Sequence, residues 1–497
     1  MKHAHVLRFV LLPTRGFTTD EPHNTAAIET FLSTMAAHGP RRLPEPPPPH
    51  AARFKVLDSI QSNGAKLVSM SEVALMRLKC EQPGLRVVPE LFYPPARAPR
   101  PRIIESIQMF GTRTVRERHV LKVVLKETGQ ALRDAEVIAF SDFAAGRGAQ
   151  GTTNARGQVT LEFPRSVKVL ERVFVYPTHS GWPVLLQHWP LRTGTIEVPA
   201  IALDFPDARH RAYPKRAPRD GQGVTVGVID TGIGPHAALA VAGGMNAVTG
   251  EDPADWSDSH VHGTHVAGII AGGGNAGVNA GGFLGVSPAV TLRAYRVFGK
   301  NAEGASSFAI AKAIDRAVAD GCDLLNLSLG GGPDDPTTSE AIKAARARGV
   351  VCVIASGNEG GPVAWPARHP LAVSVSAMGF KDAWPAGAMQ VQTVTEPLGK
   401  EHSFIADFSN TGPEIDLTGP GVGIISCIPH DRFGVMDGTS MACPAVTGAL
   451  ARRLAADATT LAMPRDADRA DAIVRLALAA ARDLHLPPLA QGAGLAQ

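Results

Sequence analysis

The chain of 497 residues has little cysteine, little net charge and few long apolar runs. Its five cysteines are an odd number without the close spacing of a metal site, which favours a reducing compartment. The formal net charge is only +3, so the dense basic face of a nucleic-acid-binding protein is not indicated. No run reaches the ~18 apolar residues of a membrane-spanning helix. We therefore expect neither a nucleic-acid partner nor a membrane segment.

A recognisable signal peptide is also missing. The apolar run within residues 1–13 is short and is interrupted by Arg8, and no cleavage site of small residues follows it. We interpret this run as a strand. The expected location is the cytoplasm, with export by an unusual route as the alternative.

One candidate catalytic residue, Asp230, follows an apolar and β-branched run over residues 224–229. Such a run is typical of a buried strand in a parallel sheet. Catalytic groups of open α/β sheets gather at the carboxyl ends of the strands, where Asp230 would lie. An aspartate at this position could equally cap a turn.

A second candidate, His262, begins a stretch rich in glycine and alanine that suits a tightly packed helix. His265 lies three residues later and would be close to His262 on that helix. A metal pair is conceivable, but neither a third ligand nor the nearby glutamate of zinc proteases can be placed. A buried, hydrogen-bonded His265 is the favoured interpretation.

The third candidate, Ser440, stands in the run Gly438-Thr439-Ser440-Met441-Ala442-Cys443-Pro444. This run predicts a serine at the beginning of a helix. The free backbone N–H groups and partial positive charge there can stabilise an oxyanion while the serine attacks a carbonyl.

Together, Asp-Thr-Gly, His-Gly-Thr-His-Val-Ala-Gly and Gly-Thr-Ser-Met-Ala-x-Pro resemble the motifs of subtilisin-like serine proteases, peptidase family S8. The resemblance covers about the C-terminal half of the chain. It implies that Ser440 is the nucleophile, His262 the general base and Asp230 the group that orients the imidazole. It also implies that Asn358, in a glycine turn, donates to the oxyanion beside the Ser440 N–H. The implied fold is α/β, with three layers and a mostly parallel central sheet.

The resemblance further implies a substrate cleft with two walls and a pocket floor. The strand end that pairs with the substrate backbone corresponds to Ser328, Leu329 and Gly330. The facing wall corresponds to Ala355, Ser356 and Gly357, and the pocket floor to Ala364. Catalysis by this family requires no cofactor, while structural calcium is left open. His260 stands unusually close to the histidine motif and could tune access of the substrate.

The region before the protease motifs predicts a small α+β module over residues 1–95. Strands are expected over 5–13, 65–70 and 85–93, with a helix over 71–80. The ending of helix then strand resembles the inhibitor-type prodomain found in front of subtilisin-like proteases. A generic α+β module is the alternative.

A basic, proline-rich linker is expected over residues 96–116, and short alternating strands over 117–200 indicate a β-sandwich. The sandwich resembles the regulatory-like domains found beside carboxypeptidases; a structural spacer is the plainer interpretation. The catalytic domain is then expected over residues 201–490. A proline-rich loop is expected over residues 40–50.

If the N-terminal module is a prodomain, its last strand should lead residues 93–99 into the cleft. The prolines there lack an N–H group, so we expect this segment to resist self-cleavage while the module inhibits the enzyme in cis. The alternative is a later cut around residues 212–222, which would free the catalytic domain.

The predicted function is hydrolysis of peptide bonds in polypeptide substrates through an acyl-enzyme. Two alternatives stay open: a protein-binding module that keeps a protease fold without catalysis, and a processing protease dedicated to one partner. The complete Asp, His, Ser and Asn set argues against the first, and the extra N-terminal modules favour the second slightly.

Overall fold

The computed structural model describes residues 7–13, 54–61, 63–82, 84–106, 116–191, 194–273 and 283–497. The elements form an N-terminal module (residues 7–89), a middle module (residues 105–198) and a C-terminal module (residues 201–497), with a connecting segment (residues 90–104) between the first two. The loop expected over residues 40–50 lies outside the described residues. The predicted domain boundaries stay predictions.

The N-terminal module is one helix on a four-stranded sheet. Its elements are β1 (Leu7–Leu12), β2 (Phe54–Ser59), β3 (Lys66–Met70), α1 (Glu72–Glu81) and β4 (Arg86–Pro89), with strand order β2-β3-β1-β4. The Ser71 hydroxyl accepts from the Ala74 N–H at 3.2 Å and so caps the beginning of α1. Phe9, Val68 and Leu78 form a small core between the sheet and α1. The helix and three of the strands follow the predicted order, whereas β2 is an addition.

The middle module consists of two sheets around one hydrophobic cluster. After β5 (Phe92–Tyr93) in the connecting segment, its strands are β6 (Glu105–Ser106), β7 (Arg116–Leu125), β8 (Glu136–Asp142), β9 (Arg147–Thr152), β10 (Gln158–Pro164), β11 (Val169–Tyr176), β12 (Val184–Pro190) and β13 (Gly194–Val198). The sheets have the orders β10-β7-β13 and β12-β11-β8-β9-β6. Inward-facing Leu121, Val137 and Leu161 are buried between them.

The C-terminal module is built on a central sheet with helices on both faces. Its elements are α2 (Ala208–Ala212), β14 (Thr225–Asp230), β15 (Val241–Asn246), α3 (His262–Ala271), β16 (Thr291–Arg296), β17 (Ala305–Ser306), α4 (Ser307–Ala319), β18 (Leu324–Leu327), α5 (Pro336–Ala347), β19 (Val351–Ala355), β20 (Val373–Phe380), β21 (Ser403–Ile405), β22 (Leu417–Pro420), β23 (Ile424–Ile428), β24 (Arg432–Met436), α6 (Thr439–Ala456), α7 (Ala458–Leu461), α8 (Ala467–Ala479) and α9 (Pro488–Gln491).

The central sheet has the order β15-β16-β14-β18-β19-β20-β21, with β22 also paired to β20. All of its pairs are parallel except β20 with β21. Residues of α3 and α6 belong to the core on one face, and residues of α4 and α5 to the core on the other. This three-layer arrangement confirms the predicted α/β fold and gathers the carboxyl ends of the parallel strands at one edge.

The N-terminal module is packed against α4 and α5. The sheet face opposite α1 contributes Val10, Leu12 and Leu67 to the hydrophobic cluster that contains Phe308 and Ile342. An ion pair of 2.8 Å between Lys312 and Asp58 lies in this contact. Both faces of the N-terminal sheet are therefore covered, one by its own helix and one by the C-terminal module.

The middle module is anchored to the C-terminal module through Trp182, which is 1% exposed and belongs to the larger C-terminal core. Its ring meets that of Phe205 edge to face, at 5.2 Å between centroids. Backbone bonds add to the contact, including one of 2.9 Å from the Ser180 N–H to the Phe433 carbonyl. The middle module is thus joined to the C-terminal module through a buried aromatic ring and backbone bonds.

All five cysteines are free thiols, with Cys80 exposed and the other four buried. Within the described ranges, every helix is too short or too polar to span a bilayer.

Candidate active site

The buried Asp230–His262 pair lies where β14 ends and α3 begins. The Nδ1 atom of His262 is 2.7 Å from Oδ1 of Asp230, and both side chains are buried. A Cβ atom on Gly263 would lie 2.1 Å from the Gly232 carbonyl oxygen. Only glycine therefore allows the first turn of α3 to approach the end of β14 this closely. The motif glycine after the histidine thus permits the contact between His262 and Asp230.

Ser440 is the second residue of α6, and its two polar groups have different partners. Its backbone N–H donates to the Ala96 carbonyl at 3.2 Å. Its hydroxyl donates to the Ser328 carbonyl at 3.0 Å. Among the described residues, Nε2 of His262 is buried without a hydrogen-bond partner. In this state, no hydrogen bond joins Ser440 to His262 among the described residues.

Asn358 is held in one orientation by the residue before Ser440. Its side-chain oxygen accepts from the Thr439 N–H at 2.8 Å and from the Thr439 hydroxyl at 3.1 Å. The amide nitrogen is buried and finds no partner among the described parts of the chain. This N–H group, beside the first turn of α6, is therefore available to donate a hydrogen bond to a bound molecule.

The cleft beside Ser440 is occupied by the connecting segment. β5 pairs with β17 in an antiparallel manner, and an isolated bridge joins Pro95 to Leu329. The Gly330 N–H donates to the Pro94 carbonyl at 3.2 Å, and the Ala96 N–H donates to the Ser328 carbonyl at 3.1 Å. The segment predicted to enter the cleft lies there, and residues 328–330 bind its backbone as an added strand.

The peptide bond presented to Ser440 is Ala96–Arg97. The carbonyl of Ala96 accepts from the Ser440 N–H, and the Ala98 N–H donates to the Asp437 carbonyl at 3.1 Å on the other side of the bond. The nitrogen of this bond belongs to an arginine, so the bond is not an X-Pro bond. The prolines that led us to expect resistance to cleavage flank this bond without forming it.

Tyr93 provides the deepest contact of the connecting segment. It is 0% exposed and belongs to the hydrophobic cluster that contains Leu329 and Trp365, and its hydroxyl donates to the Pro333 carbonyl at 3.3 Å. Burial raises the pKa of its phenol, which stays neutral. The preceding Phe92 is 56% exposed. Alternation along β5 thus buries one ring and exposes the next.

The other predicted wall residues lie together at the end of β19. The Ala364 N–H donates to the Ser356 carbonyl at 2.8 Å. The Ala364 methyl carbon lies 3.1 Å from the position that a Cβ atom would take on Gly357, and the corresponding position on Gly330 is 3.8 Å from the Ala355 carbonyl oxygen. The two predicted walls are therefore adjacent.

Sequence reasoning missed Asp258, which bridges two threonines that follow Asp230 and His262. One of its oxygens accepts from the Thr231 hydroxyl at 2.9 Å, and the other accepts from the Thr264 hydroxyl at 2.6 Å. The Thr231 hydroxyl in turn accepts from the Gly263 N–H at 2.8 Å. Burial raises the pKa of Asp258. A single aspartate before the histidine motif carries no sequence pattern that would mark this role.

His265 lies in the core, where it is hydrogen-bonded to backbone carbonyls. Its Nε2 atom is 3.1 Å from the Ile424 carbonyl oxygen, and burial lowers its pKa to about 3. Among the described residues, no group of three or more histidine, cysteine or acidic side chains is arranged to hold a metal ion. His260 lies at the rim instead, where its carbonyl accepts from the Arg97 guanidinium at 2.9 Å.

Comparison with known proteins agrees with this geometry. The sequence model of the family described as "Subtilase family" matches residues 221–494. Subtilisin Savinase from Lederbergia lenta is 38% identical over 232 residues, which are 46% of this chain and 76% of Savinase. Subtilisin BL from the same organism gives the same figures. An alkaline protease from Shouchella clausii is also 38% identical over 232 residues, which cover 54% of that protein.

The matched residues contain Asp230, His262, Asn358 and Ser440 and exclude the N-terminal and middle modules. The family match spans more than half of the chain. The chain therefore belongs to the subtilase family, peptidase family S8, and is a serine-type endopeptidase.

Proposed function

We propose that the chain hydrolyses peptide bonds through an acyl-enzyme on Ser440, with His262 as the base and Asp230 as its orienting partner. The bond of 3.2 Å from the Ser440 N–H to a peptide carbonyl, that of Ala96, carries the proposal. It puts a peptide group against the proposed nucleophile. For attack, the hydroxyl turns from the Ser328 carbonyl toward Nε2 of His262, which has no other partner among the described residues.

In the proposed reaction, the hydroxyl oxygen of Ser440 attacks the substrate carbonyl while His262 takes the proton. Negative charge then develops on the carbonyl oxygen. The Ser440 N–H and the amide of Asn358 are the proposed donors to this oxygen. His262 returns the proton to the leaving amine, and the C–N bond breaks. Water repeats the sequence on the acyl-enzyme and restores the serine.

The same proposal assigns inhibition in cis to the N-terminal module. Its supports are the packing of its sheet on α4 and α5, the burial of Tyr93 and the backbone bonds of residues 94–98 within the cleft. A substrate needs the same cleft, so its access requires this segment to leave. We also propose Ala96–Arg97 as the first bond cut, since it faces the nucleophile and has no proline in it.

A set of point variants tests the proposal. Ser440→Ala, His262→Ala and Asp230→Asn should each abolish most hydrolysis of a fluorogenic peptide, and the double variants should lose little more, because the triad acts as a unit. Ser374→Ala is the matched control, since its hydroxyl is buried away from the site without a hydrogen-bond partner among the described residues.

Thermal melting checks that each variant folds. Full activity of Ser440→Ala with an unchanged melting curve would refute the assignment. If these replacements changed only the binding of peptides and not their hydrolysis, the non-catalytic alternative would be supported instead. Incubation of the wild-type chain, followed by mass spectrometry, should give a new N-terminus at Arg97 that the Ser440→Ala chain does not give.

A further inference from the structure

A cavity of about 550 Å³ lies on the side of Ser440 where the leaving part of a substrate would be. It is lined by Arg100 of the connecting segment, Glu136 and Tyr176 of the middle module, and Val261 and Asp437 of the C-terminal module. Val261 immediately precedes the proposed base, and Asp437 lies three residues before the proposed nucleophile. The middle module therefore forms part of the wall of the substrate cleft.

The connecting segment defines the direction of a substrate through this cleft. Residues 93–96 precede the presented bond, and residues 97–100 follow it. The Ala98 N–H bond to Asp437 and the Arg97 bond to His260 hold the second half in place. Arg100 is thus the fourth residue after the bond that faces Ser440.

Arg100 is bound by two groups of the middle module. Its Nη1 atom lies 2.5 Å from a carboxylate oxygen of Glu136, and its guanidinium lies 4.3 Å from the centroid of the Tyr176 ring. A carboxylate beside an aromatic face suits a planar cation, because the cation is attracted both by the charge of the carboxylate and by the quadrupole of the ring.

Tyr176 is a buried and firmly placed part of the cavity wall. The residue is 7% exposed, and its hydroxyl has no hydrogen-bond partner among the described residues although it is buried. Burial raises the pKa of the phenol, so it stays a neutral donor and acceptor. The ring stacks on Phe174 at 6.3 Å, which fixes its orientation.

We infer that Glu136 and Tyr176 form a subsite for a basic side chain four residues after the scissile bond of a polypeptide substrate. This inference rests on the proposed function. The middle module then determines specificity, and arginine is preferred over lysine because its planar group can stack and pair at once. In the uncut chain Arg100 fills the subsite, so the connecting segment is held on both sides of the bond.

The test uses the full chain with Tyr93→Ala, which removes the deepest contact of the connecting segment and so opens the cleft, together with Arg100→Ala, which vacates the subsite. Internally quenched peptides with one cleavable bond differ only at the fourth residue after it, as arginine, lysine, alanine or glutamate. Because Glu136 and Arg100 are partly exposed, we expect kcat/KM for arginine to exceed that for alanine by roughly 5- to 20-fold. Lysine should lie between them, and glutamate should be lowest.

Glu136→Gln in the same background should reduce the ratio of arginine to alanine to about 2 or less. Glu162→Gln is the matched control: Glu162 has the same side-chain exposure of 35% and a comparable ion pair, with Arg118, on the other sheet. Its ratio should stay unchanged. A ratio near 1 in the chain with Tyr93→Ala and Arg100→Ala, or an equal effect of Glu136→Gln and Glu162→Gln, would overturn the inference.

A peptide anilide with no residue after the cleaved bond distinguishes failure of the subsite from failure of the proposed hydrolysis. If the anilide is cleaved and the ratio is near 1, only the subsite fails. If nothing is cleaved, the proposed function fails, and phenylglyoxal modification of Arg100 in the Ser440→Ala chain then decides on the subsite alone. Glu136→Gln should accelerate this modification several-fold over Glu162→Gln, and equal rates would overturn the inference.

Discussion

Replacement of Tyr93 by alanine should release the catalytic cleft from the N-terminal module. The side chain is fully buried among residues of the C-terminal module, whereas residues 94–96 are held there mainly through their backbone. Fully burying a tyrosine removes about 150–250 Å² from water, which at ~25 cal/mol per Å² is worth about 4–6 kcal/mol.

Part of this free energy is lost to rearrangement of the emptied pocket, so we expect Tyr93→Ala to weaken docking by about 2–3 kcal/mol. The population with an open cleft should therefore increase roughly 30- to 150-fold, until it saturates. Tyr93→Phe keeps the ring and loses only the bond to the Pro333 carbonyl, which is worth ~1 kcal/mol. It should give an intermediate increase.

Initial rates of anilide hydrolysis by the full chain measure this release. Phe92→Ala is the matched control, since it removes a ring that is 56% exposed on the same strand. Its rate should remain within about twofold of the wild-type rate, as expected for an exposed position. A Tyr93→Ala rate equal to that of Phe92→Ala would refute inhibition by this segment.

The remaining predictions concern the site and its support. Asn358→Ala should lower kcat by roughly 10²–10³ and change KM little, because the donor acts on the oxyanion of the transition state; steady-state kinetics that show a change in KM alone would contradict this. Asp258→Asn replaces one of the two oxygens that accept from the threonine hydroxyls by an NH₂ group. It should lower kcat more than it raises KM, and circular dichroism should show an intact fold. The pKa of His265 is about 3 when folded and near 6.5 when unfolded, so its contribution to stability is complete above pH 6.5 and is lost as the pH falls. Denaturant melts should show about 3 kcal/mol of this loss between pH 7 and pH 4, and an equal pH dependence in His265→Asn would exclude His265 as its source.

The catalytic candidates could be predicted from sequence because each lies in a short contiguous motif. The residues around Ser440 specify the beginning of the helix on which the proposed nucleophile lies, and the strand before Asp230 specifies its place at the edge of the sheet. These relationships span a few residues, so local pattern is sufficient. The same holds for α1, whose beginning is marked by the Ser71 cap.

The bond presented to Ser440 could not be predicted, because it depends on register. The pairing of Tyr93 with Ala305 and the bond from Ser440 to Ala96 set which residue faces the nucleophile. A shift by one residue would present the Pro95–Ala96 or the Arg97–Ala98 bond instead and expose Tyr93. The resemblance to an inhibitor-type prodomain predicted that the segment enters the cleft, but it did not predict this register.

Relationships among distant segments were also missed. Asp258 bonds residues that follow Asp230 and His262, and no spacing in the sequence signals such a junction. Strand β2 lies at the edge of its sheet, has no fully buried residue and shows no clear alternation of burial. The middle module was predicted as strands, but its fixed position depends on Trp182, a single residue whose burial only the tertiary structure reveals.

Covalent labelling by a fluorophosphonate probe tests the central claim most directly, because it reports on an activated serine without any choice of substrate. The Tyr93→Ala chain, in which the cleft should be open, is compared with the same chain carrying His262→Ala, and the labelled peptide is located by mass spectrometry. We predict a single label on Ser440 that is lost with His262→Ala. A folded Tyr93→Ala chain that stays unlabelled at Ser440, or is labelled equally without His262, would contradict the account.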